Sequence, residues 1–237
     1  MGGVSFGSLY LPAGDEAALF SLVACMVVSY FICGIPFGLI LGRFMGHVDI
    51  RKSGSGNIGT TNALRVAGPK VAAATLLFDV LKGVVCINAS RSVIGSALAG
   101  TASLEAGGGA DWMVALVALA CLYGHIFSPY LKFHGGKGIA TGVGILFGFF
   151  WPLALVHLAI FIVLVAITKY VSVGSIATAA VVPVTVFIAF PSMSPLSLAV
   201  WALLGWTVVW AHRSNIKKLR AGNENKLSFS KRADKKD

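Results

Sequence analysis

From Gly138 to Thr168 the chain runs for 31 residues without an Asp, Glu, Lys or Arg. A helix needs roughly 20 apolar residues to cross a bilayer, where every backbone N–H and C=O must be satisfied internally. A run of this length therefore points to membrane. Similar apolar blocks recur along the sequence, separated by short polar segments rich in glycine. Only 12% of the residues are charged, about half the share of roughly a quarter found in soluble domains. The expected fold class is all-α, a polytopic integral membrane helical bundle with little length left for a soluble domain.

The block boundaries predict seven transmembrane spans, at about 19–42, 70–89, 112–127, 138–150, 151–167, 173–190 and 196–211. Pro152 is the reason for dividing the longest run, and one kinked helix is the alternative there. The first block lacks a basic start and reads as a retained helix, with Gly34, Pro36 and Gly38 allowing a kink. Residues 90–111, small and glycine-rich, read as a mobile loop. Residues 1–18 form an amino-terminal segment, 19–212 the membrane domain and 213–237 a basic tail.

Seven spans put the termini on opposite sides, and basic residues mark the cytoplasmic one. In this arrangement 17 of the 19 Lys and Arg residues share one face, including the loops 43–70 and 132–137 and the whole tail. Arg91 is alone on the other face, and Lys82 lies within a span. The amino terminus is thus expected outside and the carboxyl terminus in the cytoplasm. Orientation and anionic headgroups account for the net charge of +10, so nucleic acid is not implied. The four cysteines, at 25, 33, 86 and 121, sit in apolar blocks and read as small apolar filler, with no metal called for.

Three polar sets fall on the expected cytoplasmic face. The first contains Ser55, Asn57, Asn62 and Arg65, the last a planar fork suited to phosphate or carboxylate. The second is His125 and Ser128 with Gly135, Gly136, Lys137 and Gly138. Glycines allow a tight turn whose N–H groups can approach an anion, and the lysine adds a positive charge. A nucleotide P-loop is excluded, because Leu131 and Gly138 stand where it needs Gly and Ser or Thr. The third set is His212 and Asn215, three apart and on one face of a continuing helix, with Glu224 beyond. Ser172 and Ser175 either face the same cavity or cap a helix start. Asp79 and Lys82, also three apart, read as a structural ion pair within a span. His157 reads as a hydrogen-bonded core residue.

These motifs, in this order, resemble the bacterial acyl-phosphate:glycerol-3-phosphate acyltransferases (the PlsY family). The first family motif is matched from Gly54 through Asn62 to Arg65, with Thr60 where alanine is usual. The second is matched from Gly124-His125 to Ala140-Thr141, and the third by His212, Asn215, Gly222 and Glu224. Phe78-Asp79 and Lys82-Gly83 also fit. The resemblance implies acyl transfer from acyl phosphate to the 1-hydroxyl of glycerol 3-phosphate, giving lysophosphatidic acid and phosphate. It implies catalytic or phosphate-contacting roles for Ser55, Arg65, Lys137, His212 and Asn215. Asn57, Asn62, His125, Gly135, Gly136, Gly138 and one or both of Ser172 and Ser175 are the expected substrate-binding set. Glu224 is expected to be structural. No cofactor or metal is called for; the partners are the two substrates, membrane lipids and an enzyme that supplies acyl phosphate.

The chemistry fits what the sequence lacks. Acyl-CoA-dependent acyltransferases commonly carry His-x-x-x-x-Asp, and no histidine here has Asp at that spacing. An acyl phosphate is already activated, so orientation and neutralisation of phosphate carry the load. The substrate's own phosphate or His212 then takes the hydroxyl proton. The competing reading is a transporter or channel for an organic phosphate or other anion. It calls for polar residues continuing across the bilayer, and the spans offer few.

Overall fold

The computed structural model describes residues 4–6, 9–11 and 16–227. A two-stranded antiparallel hairpin, β1 (Val4–Phe6) and β2 (Leu9–Leu11), pairs Val4 with Leu11. Nine α-helices follow: α1 (Glu16–Gly34), α2 (Phe37–Gly46), α3 (Thr60–Ala67), α4 (Pro69–Leu98), α5 (Asp111–Ile126), α6 (Ile139–Thr168), α7 (Val171–Ala189), α8 (Pro195–Ala211) and α9 (Arg213–Arg220). The remainder of segments 1–18 and 213–237 lies outside the described residues.

Among the described residues five helical stretches are long and apolar enough to cross a membrane, α1 with α2 counting as one. A sixth arises if α8 and α9, bent by 53°, are taken together. The chain is a multi-pass helical membrane protein. The count departs from seven because 138–150 and 151–167 are joined in α6, and α8 alone has 17 residues. The division predicted from Pro152 is nevertheless present inside α6. Phe150 is extended (φ −157°, ψ 100°), so Pro152 falls in the first turn after the break, where its missing N–H has no intrahelical acceptor to lose. Pro36 acts likewise: α1 ends at Gly34 and α2 begins at Phe37.

Lipid gives helices no hydrophobic reason to prefer one another, so close backbone packing at small residues holds them together. A Cβ on Gly144 of α6 would lie 2.1 Å from the Val80 carbonyl oxygen of α4, and one on Gly124 of α5 would lie 2.2 Å from that of Tyr30 on α1. Large apolar side chains such as Phe20, Trp151, Ile188 and Trp206 stay exposed on the outside, as a lipid-facing surface requires.

Residues 90–111 do not form a mobile loop. Helix α4 continues to Leu98 because Ile87, Ile94 and Leu98 keep a buried stripe at helical spacing. The turn beyond is tied at several points. Arg91 bridges Glu105 at 2.5 Å and donates to the Phe149 carbonyl at 2.9 Å. Asp111 Oδ2 accepts from the backbone N–H groups of Gly107 and Ser194. Reading small residues as mobile overlooked these anchors.

Candidate active site

The Asp79–Lys82 pair is the footing of the site. Both side chains are 2% exposed, and Lys82 Nζ lies 2.6 Å from Asp79 Oδ1. The same ammonium donates to the Ile35 carbonyl at 3.1 Å, where Pro36 breaks the first span, and meets His125 Nδ1 at 3.0 Å. An ammonium has three protons and no acceptor, so all three are used and His125 Nδ1 accepts. Neutral His125 therefore carries its proton on Nε2, which faces the glycine loop.

That loop packs on the end of α5. The Gly135 N–H donates to the Ile126 carbonyl at 2.9 Å and the Gly136 N–H to the His125 carbonyl at 3.0 Å. A Cβ at Gly135 would lie 2.0 Å from the His125 carbonyl oxygen, and one at Gly136 2.1 Å from His125 Nε2. This corrects the expectation that these glycines offer N–H groups to an anion: they exist because the loop lies against His125. Gly138 differs. It caps α6 with φ +84°, and the first N–H groups of α6 beyond it have no intrahelical acceptors. Those groups, with the positive end of the helix dipole, are the backbone donors at this end of the loop that an anion could use. Ser128 is fully buried and donates to the Gly34 carbonyl at 2.6 Å, tying the loop to α1.

Lys137 leaves the loop toward the carboxyl-terminal set. Its Nζ donates to Asn215 Oδ1, and Asn215 Nδ2 donates to Glu224 Oε1 at 2.8 Å. Burial pushes the Lys137 ammonium below the ordinary lysine range; Glu224 opposes that, while Lys218 and Arg65 reinforce it. Glu224, Lys218 and Arg65 thus all act electrostatically on Lys137, so the first motif's Arg65 lies within electrostatic reach of the joined second and third motifs. Lys218 was missed by the sequence reading, hidden among tail cations taken for an interfacial anchor. Its position one turn beyond Asn215 and toward the same helical face was the available signal.

His212 is buried where α8 gives way to α9. Its Nδ1 lies 2.8 Å from the Val208 carbonyl. A carbonyl can only accept, so Nδ1 carries the proton and Nε2 keeps its lone pair. Burial is the main reason its pKa is pushed down to about 4; the Val208 bond and Glu224 oppose this, and Lys137 reinforces it.

In the first polar set, Asn62 is 2% exposed and wholly engaged. Its Nδ2 donates to the carbonyls of Ile50, Ser53 and Asn57, and its Oδ1 accepts the Ser55 N–H at 2.8 Å. It shapes the loop and has no polar atom left for substrate. Asn57 Oδ1 likewise accepts the Gly59 N–H at 2.9 Å. Asn62 is a loop-forming residue where substrate contact was expected, while Asn57 shapes the loop through Oδ1 alone. The Ser55 side chain and Arg65, by contrast, are exposed.

Ser172 and Ser175 are both buried near the start of α7. Tyr170 occupies the cap position without a side-chain bond, so neither serine caps the helix. Ser175 donates back to the Val171 carbonyl at 2.9 Å, whereas Ser172 Oγ has no hydrogen-bond partner among the described residues. The tail returns past this turn, with the Leu227 N–H on the Lys169 carbonyl at 2.7 Å.

An apolar cavity of about 60 Å³ opens from Gly138 and Ile139 between α5, α6, α7 and α8, lined by Leu122, Val143, Trp201 and Leu204 among others. His157 borders it and lies 2.8 Å from Thr185 Oγ1, the hydrogen-bonded core residue expected. Among the described residues one group could hold a metal ion, Cys33, Cys86 and Cys121; it lies apart from the Lys137 cluster.

Comparisons with known proteins bear on this geometry. The family model described as "Glycerol-3-phosphate acyltransferase" matches residues 23–222. A glycerol-3-phosphate acyltransferase of Rhodopseudomonas palustris (strain BisB5) is 38% identical over 210 residues, which is 88% of this chain and 97% of that protein. One from Geobacter sulfurreducens is 42% identical over 200 residues, 84% and 94% of the two chains. Crystal structures of PlsY, an integral membrane glycerol 3-phosphate acyltransferase, superpose with TM-scores of 0.75 (glycerol 3-phosphate form) and 0.73 (lysophosphatidic acid form). Each is 28% identical and covers 90% of this chain and 96% of its own. With the fold, the matched span and the three assembled motifs in agreement, the chain belongs to the glycerol-3-phosphate acyltransferase family.

Proposed function

We propose that this protein transfers a fatty acyl group from acyl phosphate to the 1-hydroxyl of glycerol 3-phosphate, with the Lys137 cluster as its active site. The product is lysophosphatidic acid, entering phospholipid synthesis. The observation that carries the site assignment is the Lys137–Asn215–Glu224 chain, which joins the second and third motifs beside the Gly138–Ile139 end of an apolar cavity, with Arg65 of the first acting electrostatically on Lys137.

Lys137, Arg65 and the free N–H groups at the start of α6 hold the phosphates of donor and acceptor, with Ser55 and Ser172 as further hydroxyl contacts. Lys218 adds charge at the same place. The apolar cavity takes the acyl end next to the reacting carbonyl, and the rest of the chain lies in lipid. The acceptor hydroxyl attacks the acyl carbon, the bond from that carbon to the phosphate oxygen breaks, and phosphate leaves. A substrate phosphate accepts the hydroxyl proton. This is favoured over His212 because an imidazole titrating near 4 is the weaker base against a phosphate second pKa of about 6; His212 orients the acceptor through Nε2. Asn215 positions Lys137, and Glu224 fixes Asn215.

The membrane arrangement belongs to the same proposal: seven segments, amino terminus outside, carboxyl terminus and active site facing the cytoplasm of the bacterial inner membrane. Helix contacts support it. The first part of α6 follows α4, with Gly144 against Val80 and Gly148 against Ile87, while its second part folds onto α7, with Gly174 against Phe161 and Val165. Phe150, between the two parts, meets Phe190 at the far end of α7 edge to face, with ring centroids 5.1 Å apart. A chain that turns back at Phe150 supplies the seventh crossing, and the basic loops then share one face. The working unit runs from residue 19 through Leu227, since a boundary at 212 would cut the site. A second enzyme must make the labile acyl phosphate.

Phosphate release from palmitoyl phosphate by the detergent-purified protein tests the reaction. Release that depends on glycerol 3-phosphate, and fails in Lys137→Ala, is the expected result. Folded wild-type protein that releases none would return anion transport to first place.

A further inference from the structure

Three of the four cysteines, far apart in sequence, meet where α1, α4 and α5 pack. Cys33, Cys86 and Cys121 are 0%, 4% and 0% exposed. Cys33 Sγ lies 3.8 Å from Cys86 Sγ, and all three sulfurs fall within 4.8 Å of one another. Three sulfurs around a metal at about 2.3 Å would sit roughly 4.0 Å apart in a plane. Little movement is needed to close such a triangle.

We propose that Cys33, Cys86 and Cys121 form a three-sulfur site for a soft monovalent metal ion, Cu(I). Thiolates select soft ions, with Cu(I) and zinc the common mononuclear occupants. Zinc asks for a fourth ligand, and a three-ligand zinc site keeps a water there. The three cysteines are buried, the group among the described residues has no fourth ligand, and the Asp79 carboxylate is already engaged by Lys82 at 2.6 Å. Cu(I) is content with three sulfurs. Each thiol that binds as thiolate releases one proton.

The site has a defined place in the architecture. Cys86 follows Lys82 by one helical turn, Cys121 precedes His125 by one turn, and Cys33 adjoins Gly34, whose carbonyl takes Ser128. An ion held by all three would pin together the helices that carry the glycine loop.

The test uses full-length, reduced, detergent-purified protein titrated anaerobically with Cu(I) against the chelator bicinchoninate, with X-ray absorption on the loaded wild type. The expected result is one Cu(I) per chain with sulfur-only scattering at about 2.3 Å and a raised melting temperature. Cys33→Ser, Cys86→Ser and Cys121→Ser should each weaken binding at least tenfold, whereas Cys25→Ser should not. The proposal is overturned if folded wild-type protein takes no copper from the chelator, if the scatterers are oxygen or nitrogen, or if Cys25→Ser removes binding. The wild-type spectrum decides even if a buried-cysteine variant misfolds. Acyl transfer is not a readout, so the result is independent of the proposed reaction.

Discussion

Replacing Lys82 by Met tests whether the buried ion pair carries the site. The substitution keeps most of the side-chain volume but removes an ammonium that serves Asp79 at 2.6 Å, His125 Nδ1 at 3.0 Å and the Ile35 carbonyl at 3.1 Å. The Asp79 carboxylate, 2% exposed, is then left without its cation. Breaking a buried pair from one side costs about 3–5 kcal/mol, mostly as the penalty of the stranded charge. At about 2–4 °C per kcal/mol for a chain of this size, the melting temperature in detergent should fall by roughly 10 °C. The double variant Asp79→Asn with Lys82→Met strands no charge and should recover more than half of that loss. Thermal unfolding followed by tryptophan fluorescence reads all three proteins. A Lys82→Met melt indistinguishable from wild type, or a double variant no more stable than the single, would refute the reasoning.

Other perturbations address the loop, the cations and the proton. Gly136→Ala must displace His125 or the loop, and a misplacement of about 1 Å costs about 100-fold in turnover; Gly95→Ala, whose new Cβ would meet only Leu104 at 3.7 Å, should leave steady-state turnover unchanged. Lys137→Ala should lower kcat by about 100-fold or more through lost charge stabilisation, and near-normal kcat would remove Lys137 from the chemistry. Ser172→Ala should raise KM while Ser175→Ala does not, since only Ser172 has an unengaged hydroxyl; equal effects would contradict that division. The acid limb of kcat against pH should lie near 6, where a phosphate takes its second proton, and should persist in His212→Gln. A limb near 4 that vanishes in that variant would move the base to His212, because a depressed imidazole stays neutral until the pH falls to its own pKa.

Features set by local covalent chemistry could be read from the sequence alone. Pro36 and Pro152 cannot donate a helical hydrogen bond, and both breaks occur beside them. Asp79 and Lys82, three apart on a helix, had to pair. Features set by tertiary contact could not. Nothing local says that Gly135 and Gly136 are small because His125 lies against them, or that Asn62 spends its amide on Ile50, Ser53 and Asn57. Arg91, Glu105 and Asp111 order a stretch whose composition suggests looseness, because long-range anchors outweigh small side chains. The cysteines gave the least local sign, since their meeting depends wholly on how three helices cross.

The bond from Lys137 to Asn215, 78 positions later, has a consequence for biosynthesis. Ribosomes build proteins from the amino end, so the glycine loop and most membrane segments are made well before α9 and Glu224. Until those residues emerge and fold back to the Lys169–Tyr170 turn, Lys137 lacks its positioning partner. A nascent chain stalled short of Asn215 would therefore sit in the bilayer without a finished catalytic centre. On the proposed site, competence for acyl transfer then waits on synthesis of the residues from Asn215 to Glu224.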